Sequence, residues 1–131
     1  MSNKIRTPIN DEVSVPATIH TANLAKGTFV KITGDATVDV YDTEDEICVG
    51  FVVKPAREAD GKGSIQTRYD YLIDMQCDDV IAAGDRVKMG ESVSGVQTVA
   101  KWTRGTDNPE LIVGICWIGA ADTATGTFLF D

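Results

Sequence analysis

The sequence predicts an all-β fold: a small β-sandwich or barrel built from two related β motifs, with an extended N-terminal arm. Three observations support this. Short segments alternate apolar and polar residues, turn-forming residues separate them roughly every eight to twelve positions, and blocks of the first half recur in the second. No segment carries a long apolar stripe at helical spacing, which argues against a helical fold.

Length and composition are those of an ordinary folded domain. The chain has 131 residues, of which 43% are hydrophobic and 24% charged, so it can bury a core and disorder of the whole chain is not expected. We expect residues 1–20 to form the arm and residues 21–131 to form a single β domain.

The charge balance limits the partners. The net charge is −8 at pH 7, without a basic cluster, so nucleic acid and anionic lipid would repel the chain. The N-terminus lacks an apolar signal-peptide core, and no run approaches the roughly 20 apolar residues of a membrane span. We therefore expect neither a nucleic-acid partner, nor a membrane anchor, nor signal-directed secretion.

The three cysteines do not form a redox or metal pattern. Cys48, Cys77 and Cys116 are odd in number, and none belongs to a CxxC pair. With a single histidine in the chain, they do not make a zinc ligand set with familiar spacing. We expect three reduced, mostly buried thiols in a protein made in a cytoplasm, and no cofactor.

The first twenty residues are mostly polar and interrupted by Pro8 and Pro16, each of which removes a backbone donor. Ile5, Ile9 and Val13 give this arm apolar contact points and are therefore candidate interface residues. Two interpretations remain open: a frayed terminus, or an arm that becomes ordered on a partner.

From residue 21 onward, nine segments have strand character. Thr28–Ile32 and Thr37–Tyr41 alternate cleanly, and Ile47–Val53 is an apolar run typical of a strand buried on both faces. The other six segments are Ser64–Tyr69, Tyr71–Met75, Arg86–Met89, Val96–Trp102, Leu111–Ile118 and Thr127–Phe130. A short helical turn is expected at residues 21–25 or 78–82.

An internal repeat relates residues 21–75 to residues 78–131. The matched blocks are Leu24–Ile32 with Ile81–Met89, Cys48–Val52 with Ile112–Cys116, and Gly63–Gln66 with Gly126–Leu129. Gly27 and Gly84 are expected to have positive φ before a strand, whereas Gly50 and Gly114 mark a bulge or a close backbone approach. The second copy is seven residues longer between the first two blocks.

The repeated pattern, apolar-x-x-Gly-x-x-Val-Lys-apolar followed by Val-Gly-x-x-x, resembles the capsid decoration, or cement, proteins of tailed bacteriophages. It occurs here as Leu24–Ile32 with Val49–Val52, and as Ile81–Met89 with Val113–Cys116. The resemblance covers roughly residues 21–130. The insertion near Trp102–Glu110 departs from the simplest members of the family.

The resemblance implies a non-enzymatic virion protein, made in the host cytoplasm, that binds the outer surface of the assembled capsid. It implies a homotrimer at local three-fold points of the major capsid protein lattice, stabilising the shell against internal DNA pressure. It also implies an N-terminal arm laid along the coat lattice, and it transfers no catalytic residue.

Four residues outside the arm are candidate interface residues. Trp102 and Arg104 lie at a strand end beside the longer loop, and Tyr69 and Tyr71 share one strand face. An alternative for Trp102 is a rim residue that covers the mouth of the barrel. Trp117 lies inside an apolar run and is expected in the core.

The residue types give little support for catalysis. His20 has no nucleophile elbow or phosphate loop nearby, and the acidic segment 42–46 lacks the spacing of a calcium loop, so we expect a solvated loop there. Two rival functions remain. One is a carbohydrate- or peptide-binding module that uses Trp102, Tyr69 or Tyr71 as an aromatic platform. The other is a hydrolase with convergent carboxylates, for which the candidates are Asp42, Asp45, Asp74 and Asp79.

Overall fold

The computed structural model describes residues 4–8, 14–21, 23–67 and 71–130, with residues 4–8 and 71 described by their backbone alone. Over these residues the chain is almost entirely β, with no cis peptide bond. Within the same residues, no helix is long and apolar enough to cross a membrane.

The predicted all-β class is confirmed. The strands of the described residues are β1 (Lys4–Pro8), β2 (Ser14–Ile19), β3 (Phe29–Gly34), β4 (Thr37–Val40), β5 (Gly50–Lys54), β6 (Lys62–Gln66), β7 (Tyr71–Cys77), β8 (Arg86–Met89), β9 (Thr98–Lys101), β10 (Ile112–Ile118) and β11 (Thr125–Phe130). Each of the nine predicted segments overlaps one of these strands. Strands β1 and β2 were not predicted, because prolines and polar residues weaken the strand pattern there.

The strands close into two small barrels. Strands β2–β6 form the first barrel in the order β2-β4-β3-β5-β6. Strands β7–β11 form the second in the order β7-β11-β10-β8-β9, closed by the parallel pair β7–β9. Strand β1 adds antiparallel to the outer edge of β7. Closure leaves each barrel without long open edges, which suits strands this short.

The two barrels have the same pairing scheme and register. In the first, β2 pairs with β4 in parallel and with β6 antiparallel; in the second, β7 pairs with β9 and β11 in the same ways. The register irregularity of β5–β6, between Val52 and Lys54, recurs in β10–β11 between Cys116 and Ile118. Val53 and Trp117 are therefore equivalent bulged residues.

The repeated glycines have the expected backbone roles. Gly27 and Gly84 have φ values of 91° and 90°, and each N–H donates to the strand behind it, to the carbonyl oxygens of Val52 and Cys116 respectively. A Cβ on Gly50 would overlap the carbonyl oxygen of Gln66, and one on Gly114 that of Leu129. Both predictions, positive φ and close backbone approach, are confirmed.

Two expected boundaries differ from the structure by one strand each. Ser14–Ile19 belongs to the first barrel, although residues 1–20 were expected to form an arm. Tyr71–Cys77 opens the second barrel, although Tyr71–Met75 was assigned to the first half. The expected helical turn at residues 21–25 or 78–82 is absent from the described residues. Their helical segment lies elsewhere in the chain, as a 3-10 turn at Pro109–Leu111 capped by Asn108.

Each barrel has a buried interior, and a larger cluster spans both. The first barrel encloses Ala17, Ile19, Val30, Val38, Val52 and Ile65. The interior of the second barrel, which includes Val87, Val99 and Phe128, is continuous with Phe29, Tyr41 and Phe51 of the first. One apolar cluster therefore contains residues of both barrels, and the barrels pack against each other through it.

Candidate functional site

The barrels meet through two different surfaces. We define the outer face of the first barrel as Phe29, Tyr41, Phe51 and Val53, whose side chains pack outside that barrel. We define the mouth of a barrel as the end where its first strand begins and its last strand ends; in the second barrel the mouth residues are Ile73, Met89, Gln97 and Phe130. The rings of Phe29 and Phe130 lie 5.3 Å apart between centroids.

Gln97 joins the two barrels by hydrogen bonds. Its side-chain oxygen accepts from the Phe29 N–H at 2.8 Å, and its amide nitrogen donates to the carbonyl oxygens of Phe29 at 2.7 Å and Tyr41 at 3.0 Å. Gln97 is buried, so these bonds satisfy both of its polar groups away from the protein surface. Because hydrogen bonds are directional, these three bonds fix how the two barrels are positioned relative to each other.

The acidic segment 42–46 forms the second connection. The Lys88 ammonium, on β8 of the second barrel, lies 2.8 Å from Asp45, 3.4 Å from Glu44 and 3.0 Å from Asp107. Lys31, at the equivalent position of the first barrel, binds Glu46 at 2.8 Å and Asp42 at 3.3 Å. The lysine of the repeated Val-Lys pair, Lys31 in the first barrel and Lys88 in the second, therefore binds the same acidic segment 42–46 from both barrels.

Burial of Lys88 disfavours its charged form, but the hydrogen bonds to Asp45 and Asp107 and the charge of Glu44 outweigh it, so the pKa of Lys88 lies above the ordinary lysine value. The Thr103 N–H and the Lys88 ammonium together hold the pKa of Asp107 below its usual range. The negative charge of the acidic segment 42–46, expected as a solvated loop, is thus partly neutralised by Lys31 and Lys88. The Lys88 ion pairs stabilise the contact between the barrels.

An aromatic side chain ties down the loop after the third strand of each barrel. The Tyr41 hydroxyl donates to the Glu46 carbonyl oxygen, and burial raises the pKa of Tyr41 to about 12. At the equivalent position, the Trp102 indole N–H donates to the Asn108 carbonyl oxygen at 3.0 Å. Trp102 is half-buried and serves its own loop, and Arg104 is exposed at the turn of that loop.

The remaining candidate interface residues are only partly visible. Ile5 pairs with Ile73 through the backbone, and Tyr71 pairs with Pro8 and Phe130. Ile9, Val13 and Tyr69 lie outside the described residues. A common site formed by all seven candidates therefore stays a prediction.

A surface that the sequence analysis missed lies at the bulge of β10. Trp117 was expected in the core, but 60% of it is exposed. The reason is that the neighbouring Cys116 is buried inside the barrel, so alternation along β10 turns Trp117 to the outer side, where 60% of it stays exposed. The available signal was the repeat, since Trp117 matches Val53 rather than an interior position. Ile32, Ile47, Val80 and Ile118 are also exposed apolar residues.

The four candidate carboxylates each have a structural partner. Asp42 and Asp45 bind lysines, Asp74 accepts from the Thr127 hydroxyl at 2.8 Å, and Asp79 accepts from the Val80 N–H at 2.7 Å. Across the described part of the chain, no three histidine, cysteine or acidic residues form a group that could hold a metal ion. His20 is exposed at the end of β2.

The cysteines are as expected. All three are free, Cys77 and Cys116 are buried, and Cys48 is half-buried. Burial raises the pKa of both Cys77 and Cys116. These thiols therefore act as small apolar core residues rather than as nucleophiles.

The backbone is similar to a solved structure described as "head fiber gp8.5 N base in bacteriophage phi29". The TM-score is 0.56 at 17% sequence identity, over 91% of this chain and 93% of that one. No family model and no curated protein matches the chain. The coverage shows that this chain and the phage protein share a fold along almost their whole lengths.

Proposed function

We propose that this chain is a non-enzymatic structural protein of a phage virion, a decoration protein that binds the outer surface of the capsid. The observation that carries the proposal is the shared fold over 91% of the chain with a phage head fiber base. The resemblance of the repeated blocks to capsid decoration proteins points the same way. Made in the host cytoplasm, the protein would stabilise the shell against internal DNA pressure.

The contact between the barrels supports a mechanical role. A shared apolar core, the Gln97 hydrogen bonds and the Lys88 ion pairs make the two barrels one stiff body. A stiff body that touches two coat subunits loses little conformational entropy on binding and resists their separation. A chain in which Gln97 and Lys88 hold two barrels together is suited to clamping neighbouring subunits of a lattice.

We further propose that the partner is the major capsid protein lattice and that the protein binds it as a homotrimer. Three weak contacts on a repeated surface become one strong attachment, because each contact raises the effective concentration of the others. The net charge of −8 supports a role in which the protein covers the shell from outside and does not compete for DNA.

The test is the copy number in virions purified from the source of this sequence, measured by quantitative mass spectrometry against the major capsid protein. A decoration protein is expected at a ratio near one to one or at another ratio fixed by shell symmetry. A few copies per particle would indicate a tail or vertex component instead, and absence from the particle would refute the virion role.

A second experiment tests stabilisation. Heads stripped of the protein are heated with and without added purified protein, and DNA release is followed with an intercalating dye. The proposal expects release at a higher temperature when the protein is present. An equal amount of an unrelated acidic protein of similar size is the control for effects of added protein. Release at the same temperature in all three samples would refute the stabilising role.

A further inference from the structure

We propose that the mouth of the first barrel binds the outer face of the second barrel of another copy of this chain. The contact between copies would repeat the contact between barrels within one chain. The inference deepens the proposed self-association by naming its two surfaces, and it does not depend on the virion role.

The contact inside the chain is the model for the proposal. There, the outer face of the first barrel covers the mouth of the second. Because the barrels have the same strands in the same register, each surface has an equivalent on the other barrel. Among the described residues, one molecule therefore has two outer faces and two mouths but packs only one of each against the other barrel, which leaves a complementary pair.

The outer face of this pair lies on the second barrel. The residues equivalent to Phe29, Tyr41, Phe51 and Val53 are Arg86, Trp102, Ile115 and Trp117. Arg86 and Trp117 are exposed, and Trp102 and Ile115 are half-buried. Two tryptophans and an arginine on one exposed surface are the residue types most enriched in protein interfaces.

The mouth of this pair lies on the first barrel. The residues equivalent to Ile73, Met89 and Phe130 are Val15, Ile32 and Thr67. Met89 is buried under the neighbouring barrel, whereas 65% of Ile32 and 40% of Val15 are exposed. A shallow depression of ≈ 410 Å³ lies beside this mouth, between Lys31, Ile32, Glu46, Ile47 and Val49, and offers room for a large side chain such as an indole.

The pair accounts for three of the seven large apolar residues that are exposed in the described part of the chain. Trp117 lies on the outer face of the second barrel, and Ile32 and Val15 lie at the mouth of the first. The contact is heterologous, because one surface binds a different surface of the next copy. Such contacts close into a ring when the rotation allows it.

The contact between copies is expected to be weaker than the one within the chain. Arg86 replaces Phe29 on the outer face and Thr67 replaces Phe130 at the mouth, so the ring contact that joins the two barrels within the chain has no counterpart between copies. Association should therefore depend on concentration in solution and be favoured where copies are gathered on a repeated surface.

The first test is the mass of the purified protein across a concentration series, by size exclusion with light scattering and by sedimentation. Wild type should associate as concentration rises, and Trp117→Glu and Ile32→Glu should each remain monomeric. Val80→Glu is the matched control, since Val80 is 66% exposed but lies on neither surface. Its association should equal that of wild type. Circular dichroism of each variant verifies the fold.

Mixing the variants tests the head-to-tail arrangement. Trp117→Glu keeps an intact mouth and Ile32→Glu keeps an intact outer face, so equal amounts should form a one-to-one dimer with one junction and no larger species. A wild type that stays monomeric at its highest soluble concentration, or a Trp117→Glu variant that associates normally, would overturn the inference. A monomer that nevertheless attaches to phage heads would overturn it and leave the virion role intact.

Discussion

The two barrels are built on one plan and differ where they meet. Their strand order, register and bulge are the same, and a glycine lies against backbone at the same place in each. The mouths differ: the second has Ile73, Met89 and Phe130 under the first barrel, whereas the first has Val15 and Ile32 exposed. The comparison shows that the strand order and register of a barrel depend on few residues, whereas the surface that a barrel can bind depends on the residues at its mouth.

The connections also differ. Residues 35–36 join β3 to β4, whereas residues 90–97 join β8 to β9. The paired residues Ile32 and Val38 are six positions apart in the chain, whereas their counterparts Met89 and Val99 are ten positions apart. Four of the seven residues by which the second copy of the repeat is longer therefore lie in this connection. The insertion expected at Trp102–Glu110 accounts for the rest. The longer connection carries Ser92 and Gln97, which both bind the first barrel.

The largest expected effect is on the shared plan. Gly50→Ala and Gly114→Ala should each destabilise the protein by about 3 kcal/mol or more, because the added Cβ overlaps backbone that cannot move aside. The measurement is urea unfolding followed by tryptophan fluorescence. Gly34→Ala is the control, since its Cβ would make only ordinary contact with Thr37. A loss at Gly34→Ala as large as at the other two would refute backbone overlap as the cause, and clearly unequal losses for Gly50→Ala and Gly114→Ala would refute their equivalence.

Next is the hydrogen-bonded contact between the barrels. Gln97→Ala should cost about 3 kcal/mol, because it leaves the buried Phe29 N–H without this acceptor and removes two further bonds. Ser92→Ala in the same connection should cost less than about 0.5 kcal/mol, since its bond to the Tyr41 carbonyl oxygen is long, at 3.4 Å. Chemical denaturation measures both. Equal costs would show that Gln97 does not hold the barrels together.

The two equivalent lysines should differ in weight. Lys88→Met should destabilise by about 2 kcal/mol, since its 8% exposed side chain neutralises three carboxylates. Lys31→Met should cost less than about 1 kcal/mol, because its partners are largely in solvent. Thermal unfolding at low and high salt separates them: the Lys31 contribution should disappear in high salt, and a Lys88 contribution that also disappears would contradict its burial.

The smallest expected effect is the acid dependence. The folded-state pKa of Asp107 is lowered, so its contribution is complete above the ordinary carboxyl pKa of 3.8 and is lost as pH falls through the folded value. Unfolding free energy should therefore fall below about pH 4. Asp107→Asn should be less stable at neutral pH but show a shallower fall below pH 4. Identical slopes for the two proteins would refute this role of Asp107.

Sequence patterns predicted strands well where alternation met turn chemistry, as in Thr37–Tyr41 and Arg86–Met89, and they failed where local chemistry opposed the strand. Ser14–Ile19 contains Pro16 and was expected in an arm, but pairing with β6 makes it a strand. Trp117 was expected in the core, because an apolar run suggests a strand buried on both faces and does not reveal that the outer side of β10 is exposed at this residue.

The amino-acid sequence by itself determined the all-β class, the duplication and the glycine roles. Alternation, turn residues and Gly27, Gly50, Gly84 and Gly114 are local features, and backbone sterics translate them directly into structure. The tertiary structure alone decided that the strands close into two barrels and that the mouth of the second receives the first. It also decided that Trp117 is exposed. These depend on pairings between residues far apart in the chain, which local periodicity does not encode.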